Sequence, residues 1–129
     1  MANATAITVN ALTANTVLTQ PTANILDTGT AAVTIGFTPD GDSHNVLLEV
    51  TNTALAADLM TVDILAGVRP PAVEASLGNV TFTVAQNAVR YIVVDSSRCM
   101  QADGKINVMF TPASTKAQTM TIRAYKLPK

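Results

Sequence analysis

The fold is decided by the stretch NVTFTVAQNAVRYIVVDSSRCM, residues 79–100. Apolar residues alternate with threonine over 80–84, the pattern breaks at 85–88, and alternation resumes over 89–94. Two alternating arms on either side of a short break predict a β-hairpin. Because Ile92-Val93-Val94 is apolar on both faces, we expect the second arm to be covered on both sides and to lie centrally in a layered β structure.

Alternation of apolar and polar residues also predicts strands outside this stretch. These strands are 5–12, 31–37, 45–52, 60–64, 105–111 and 117–125, with a short strand or bulge at Cys99-Met100. Turn signals separate them, and Thr38 to Ser43, which combines proline with Asp-Gly, is the strongest. About eight or nine short strands spaced in this way indicate an all-β chain. We therefore predict a single domain, residues 1–129, folded as an antiparallel β-sandwich or jelly roll.

The predicted core consists of apolar side chains at alternate positions of these strands. Its members are Val33, Ile35, Phe37, Val46, Leu48, Val50, Val62, Ile64, Phe82, Val93, Ile106, Val108, Phe110 and Ile122.

Composition excludes several classes of function. Charged residues make up 13% of the chain and the formal net charge is -1, so the chain lacks the basic stripe that nucleic-acid binding needs. The start, MANATAITVN, has no secretory signal pattern, and no apolar run approaches the ~20 residues of a membrane helix. We therefore expect no nucleic-acid or membrane partner, and synthesis in the cytoplasm without a signal peptide.

No group of residues indicates catalysis or a bound cofactor. Asp40, Asp42 and His44 could supply ligands to a cation, but a plain hairpin turn is the preferred interpretation. A calcium loop needs glycine at its sixth position and a carboxylate at its twelfth, and this chain has Asn45 and Thr51 there. His44 is the single histidine, and no serine or cysteine lies in a nucleophile motif. We expect no enzyme activity, no catalytic residue, no metal and no cofactor.

Three further features have both a functional and a structural interpretation. Arg98 could activate the thiol of Cys99, but a buried, inert cysteine is preferred, and this single cysteine excludes an intrachain disulfide. Glu49, Asp63 and Glu74 cannot be paired as catalytic carboxylates by sequence alone. Tyr91 and Tyr125 are the only tyrosines and tryptophan is absent, which disfavours a sugar site built on aromatic platforms.

The first segment, residues 1–25, has two interpretations. Its uncharged, threonine- and alanine-rich sequence could form an extended arm that adds to the sheet of another subunit. Alternatively it contributes an edge strand to its own sheet, which is the preferred interpretation.

The chain resembles the small β-sandwich virion proteins encoded beside the major capsid protein in tailed phages. The resemblance lies in segment order and composition, with no single diagnostic motif. The segments that carry it are MANATAITVNALTANTVLTQPTANILDTGTAAVTI at 1–35, LLEVTNTA at 47–54, VAQNAVRYI at 84–92, VMFTPAS at 108–114 and IRAYKLPK at 122–129.

This resemblance implies a head decoration, or cement, protein on the capsid surface of the virion. Such a protein would clamp neighbouring units of the major capsid protein, often as a homo-oligomeric dimer or trimer, and stabilise the shell against the pressure of packaged DNA. The resemblance transfers no functional residue. Two other functions stay open, namely an Ig-like adhesion or receptor-binding module on a virion, and a tail or collar component.

Overall fold

The computed structural model describes residues 6–27, 32–39, 45–53, 59–68, 77–113 and 119–128. These residues form nine β-strands and one turn of helix, α1, at Ser96–Cys99. The strands are β1 Val9–Ala11, β2 Asn24–Asp27, β3 Val33–Phe37, β4 Val46–Asn52, β5 Met60–Ile64, β6 Val80–Val84, β7 Val89–Val94, β8 Ile106–Pro112 and β9 Thr119–Lys126.

The strands form two sheets. The first sheet has the order β1-β9-β4-β7, with β2 also paired to β9 on the side where β1 lies. The second sheet has the order β3-β8-β5-β6. Every pairing is antiparallel except that of β1 with β9, which is parallel. This arrangement confirms the all-β sandwich predicted from the sequence.

The pairings also decide between the two predicted architectures. β2 pairs with β9, β3 with β8, β4 with β7 and β5 with β6, so the chain forms nested hairpins that alternate between the sheets. Two further pairings, β4 with β9 and β5 with β8, join these hairpins within each sheet. Such a rolled, nested arrangement in two sheets is a jelly roll.

The core lies between the sheets and contains most of the predicted residues. Confirmed as buried are Ile35, Phe37, Val46, Leu48, Val50, Val62, Ile64, Ile106, Val108, Phe110 and Ile122. Val33 and Phe82 are only partly buried against it. The prediction was wrong for Val93, which is 50% exposed. Core members outside the predicted set are Ile7, Leu26, Met60, Val84, Val94, Cys99, Met120 and Ala124.

The predicted hairpin at 80–94 is wrong, because its two arms lie in different sheets. β6 pairs with β5 and β7 pairs with β4, so residues 85–88 form an arch that crosses the sandwich. The Nδ2 atom of Asn52, at the end of β4, donates a 3.0 Å hydrogen bond to the carbonyl of Val84. The backbone amide of Asn87 donates in turn to the carbonyl of Asn52, at 2.8 Å. A buried asparagine thus fixes the point where the chain changes sheets.

The expectation that the second arm lies centrally is also wrong, since β7 is an edge strand among the strands that the structure describes. The side chains of Ile92 and Val94 face the core. Arg90 belongs to the same phase of the strand but is exposed, near the strand's first residue. Because both phases of this strand are rich in apolar residues, the alternation could not show which phase is buried. The arch at 85–88 determines that the phase with Ile92 and Val94 is buried. The phase that contains Val93 therefore faces outward.

Three local predictions also differ from the structure. β2 was missed because its sequence, Asn24–Asp27, is short and follows directly on a stretch with polar and proline residues. Cys99 ends the helical turn α1 and does not lie in a strand or bulge. β8 continues through Pro112, whose missing amide is tolerated at the strand's last position.

The described part of the first segment connects both sheets of its own chain. The amide of Ile7 donates to the carbonyl of Gly36 in β3 at 2.9 Å, and Val9–Ala11 then pairs with β9. Residues 6–11 therefore link the edge of β3 in one sheet to the edge of β9 in the other, within the same chain. Residues 1–5 lie outside the described residues.

Candidate interaction surface

The outer face of the first sheet carries the exposed aromatic and aliphatic side chains. Residues directly opposite each other on antiparallel strands share a face, so the register places these side chains in rows across β7, β4 and β9. The rows are Val93, Leu47 and Tyr125, then Tyr91, Glu49 and Arg123, with Val89 beside Thr51 below them. We call the surface formed by Leu47, Glu49, Val89, Tyr91, Val93, Arg123 and Tyr125 the tyrosine face.

The β7 side of the tyrosine face is apolar and open to solvent. Tyr91 is 62% exposed, Val93 50% and Val89 40%. Single exposed apolar residues are ordinary, but three on one strand beside the partly exposed Leu47 and Tyr125 form a contiguous patch. Large contiguous apolar patches often mark binding sites, so this side of the sheet is the candidate interaction surface.

An ion pair lies at the centre of the tyrosine face. The Nη1 atom of Arg123 is 2.7 Å from Oε1 of Glu49, which is only 7% exposed. The Nε atom of Arg123 donates to the carbonyl of Pro21 at 2.9 Å, so the segment between β1 and β2 also holds the guanidinium. These contacts hold the side chains of Glu49 and Arg123 in fixed positions beside Tyr91.

The same surroundings raise the pKa of the Tyr125 phenol above its ordinary value. Burial has the largest effect, and the negative charge of Glu49 acts in the same direction, because both disfavour the phenolate. Arg123 opposes them by attracting the phenolate.

We expect this shift to be measurable by ultraviolet titration of a Tyr91→Phe variant, in which Tyr125 is the only tyrosine. Its midpoint should lie above the ordinary value of about 10. Adding Glu49→Gln should lower the midpoint, since the carboxylate charge is removed while the positive charge of Arg123 stays. A midpoint that rises or stays the same after Glu49→Gln would contradict the proposed geometry.

The outer face of the second sheet differs in chemistry. It is formed mainly by threonine with Asp63, Asn107 and Met109. The hydroxyl of Thr81 donates to Oδ1 of Asp63 on the neighbouring strand. This face offers short, branched polar side chains and no aromatic residue among those described.

The structure separates the candidate site residues named from the sequence. Glu49 and Asp63 lie on opposite outer faces of the sandwich, so they cannot act as a carboxylate pair. Cys99 is 2% exposed and packs in the core. Asp40, Asp42, His44 and Glu74 lie outside the described residues.

Among the described residues, two of the clefts lie between neighbouring elements. One, of about 520 Å³, lies where Ile7 and Gly36 approach Asp103, Lys105 and Asn107. The other, of about 190 Å³, lies between the edges of β6 and β7 and is lined mostly by apolar residues with Asp95 and Arg98. Within the described ranges, no group of three His, Cys, Asp or Glu side chains could hold a metal ion. None of the helical residues that the structure describes belongs to a helix long and apolar enough to cross a membrane.

Sequence reasoning did not identify the tyrosine face as a surface. The signal was present as Val89, Tyr91 and Val93 at alternate positions, but this phase was predicted to contribute Val93 to the core. Arg90 in the opposite phase made that prediction reasonable, since a charged residue is normally placed outside.

Comparison with known proteins adds little to this description. No family model matches the chain, and no curated protein matches it. One similar solved structure comes from work titled "Bacillus endospore appendages form a novel family of disulfide-linked pili". It is 18% identical, with a TM-score of 0.33, over 90% of this chain and 100% of that one.

Proposed function

We propose that this protein is a structural component of a larger protein assembly and performs no reaction. More specifically, we propose that it is a tailed-phage head decoration protein, which binds the outer surface of the major capsid protein and stabilises the shell. The observation that carries the proposal is the tyrosine face, on which Tyr91 and Val93 are more than a third exposed on a flat sheet.

Rigidity supports this function. The exposed side chains are held on strands of a sandwich, and β-branched residues such as Val89 and Val93 lose little rotamer entropy when they are covered. A surface that is already ordered binds with a smaller entropic cost than a mobile loop. Aromatic side chains such as Tyr91 are also enriched among the residues that dominate protein interfaces.

Low charge and repetition support it further. A formal net charge of -1 gives little repulsion between neighbouring copies on a crowded shell. Many weak contacts repeated over a symmetric shell give high avidity even when each contact is modest. The jelly roll is an architecture found in viral capsid proteins, although this analogy extends only to the fold.

The second candidate is an adhesion or receptor-binding module that recognises glycans. Jelly rolls also occur in lectins, and Tyr91 beside the Glu49 and Arg123 pair places an exposed ring next to charged hydrogen-bonding groups. The scarcity of other aromatic side chains disfavours this candidate, because 4% of the chain is aromatic.

The test is to mix the purified protein with undecorated capsids assembled from the major capsid protein of a tailed phage whose genome encodes this chain. We expect saturable binding with a fixed ratio to the capsid subunits and a higher temperature of shell disruption. Tyr91→Ala should weaken binding by at least about tenfold, as removal of an exposed aromatic anchor does.

The matched control is Thr83→Ala on the outer face of the second sheet, which should bind as the native chain does. Absence of saturable binding, or binding to a glycan array and not to capsids, would overturn the proposal.

A further inference from the structure

The strand β7 has an open edge among the described residues. β4 lies on one side of it, and no described strand lies on the other. The amide of Asn52 donates to the carbonyl of Ala88 at 3.2 Å, which sets the phase of the ladder between β4 and β7. Because antiparallel bonding alternates, Arg90, Ile92 and Val94 bond to β4. The backbone amides and carbonyls of Val89, Tyr91 and Val93 therefore point away from the sheet along the free edge.

Nothing within this strand blocks pairing with another strand. Natural edge strands are usually protected by proline, by bulges or by several charges. Between Val89 and Val94 there is no proline, no glycine and no bulge in the pairing with β4, and Arg90 is the one charged residue. The side chain of Arg90 donates to the carbonyl of Val89 at 3.3 Å, so one acceptor of the free edge is already in use. A carbonyl oxygen has two acceptor positions, so it can accept a hydrogen bond from a second strand beside this contact.

The side chains beside the open edge have a symmetric order. Val89, Tyr91 and Val93 read the same in both directions about Tyr91. We infer that β7 pairs antiparallel with β7 of a second copy of this chain, about a two-fold axis at Tyr91. This inference rests on the proposed function in one respect, since it takes β7 to be part of an assembly surface.

The register of this dimer follows from the ladder. Only residues whose backbone groups face the free edge can form hydrogen-bonded pairs across it, so odd-numbered residues must face odd-numbered residues. Centring on Tyr91 places Val89 opposite the partner's Val93 and gives three such pairs, with about six backbone hydrogen bonds. Moving one strand by two residues in either direction, to the next allowed register, leaves only two of these hydrogen-bonded pairs within 89–93.

The pairing also extends the tyrosine face. Residues opposite each other on paired strands share a face, so the two tyrosines and the valines beside them would join across the axis. A twofold dimer uses the same patch on both copies, which is the commonest arrangement of soluble oligomers. The resulting surface carries the apolar residues of both copies in one continuous sheet and doubles the contacts available to a capsid.

Cysteine cross-linking of the purified chain in solution tests the register. In a Cys99→Ser background, Val89→Cys and Val93→Cys are made as separate proteins and are oxidised mildly, alone and after mixing. Hydrogen-bonded antiparallel residues lie about 5.5 Å apart at Cα, within the range of a disulfide. Two copies of the same substituted position would be about 14 Å apart and could not form one.

We expect cross-linked dimers from the mixture and not from either variant alone. Thr83→Cys is the matched control, since β6 is the edge strand of the second sheet among the described strands. It should stay uncross-linked both alone and when mixed with either variant. Cross-linking in the separate variants at the level of the mixture, or no cross-linking in the mixture, would overturn the proposed register.

Sedimentation equilibrium provides a second readout. The native chain should be a dimer, and Tyr91→Lys should raise the dimer dissociation constant by at least about tenfold, because two ammonium groups would face each other on the axis. Circular dichroism should show an unchanged strand spectrum, since Tyr91 is exposed. A native chain that stays monomeric overturns the dimer whatever the capsid result is, and a dimer that fails to bind capsids overturns the proposed function alone.

Discussion

Arg123→Met is expected to lower the free energy of unfolding by about 2–4 kcal/mol. The substitution leaves the carboxylate of Glu49, which is 7% exposed, without its 2.7 Å partner, and an unpaired buried charge is costly. The side chain of Arg123 keeps 20% of its surface exposed, so we place the effect below the largest values known for fully buried pairs. Urea unfolding followed by circular dichroism measures it, at protein concentrations where the oligomeric state of native chain and variant is the same.

Two further variants separate the loss of the charge partner from other causes. Arg90→Met removes an exposed arginine of the same sheet and should change stability by no more than about 0.5 kcal/mol. Adding Glu49→Leu to Arg123→Met should restore most of the loss, since a pair of apolar side chains can replace a buried ion pair. If the double variant is as unstable as Arg123→Met, the unpaired carboxylate is not the cause.

Asn52→Leu is expected to lower the free energy of unfolding by about 2–3 kcal/mol. Asn52 is fully buried, and its Nδ2 atom donates to the carbonyl of Val84, a residue that is itself buried. Leucine cannot supply this donor, and its different shape must be accommodated at a fully buried position, so the hydrogen bond to Val84 is lost and the packing around it is strained. The same urea unfolding experiment gives the change.

The neighbouring Thr51→Val is the matched control for Asn52→Leu. Thr51 lies on the opposite face of β4 and is partly exposed, so its replacement should stay within about 0.5 kcal/mol. An Asn52→Leu variant with native stability would show that the hydrogen bond to Val84 does not hold the arch between the sheets.

Both substitutions affect residues whose importance is visible only in the folded chain. Glu49 and Arg123 are 74 positions apart, and Asn52 and Val84 are 32 apart. Neither pair belongs to a motif. Glu49, Asn52 and Arg123 would each be interpreted alone as an ordinary polar position on a strand, and Val84 as an ordinary apolar one. The register of β4 with β9 brings the first pair together, and the arch brings the second pair together.

The sequence by itself determined the class of fold and most of the core. Period-two alternation in strands such as β4, β5 and β8 has one clearly apolar phase, so the buried side chains could be named before the structure was known. Turn residues also follow from the sequence: Asp103-Gly104 precedes β8, and Gly104 adopts a positive φ of 80°.

Only the tertiary structure decided the sheet to which each strand belongs. Local sequence does not distinguish a hairpin from an arch, because both need two strands and a short turn, and the difference lies in which distant strand each arm pairs with. For β7, whose two faces are both rich in apolar residues, that choice also decided which phase is buried. The exposed Tyr91 and Val93, and with them the candidate interaction surface, are therefore a consequence of long-range strand pairing.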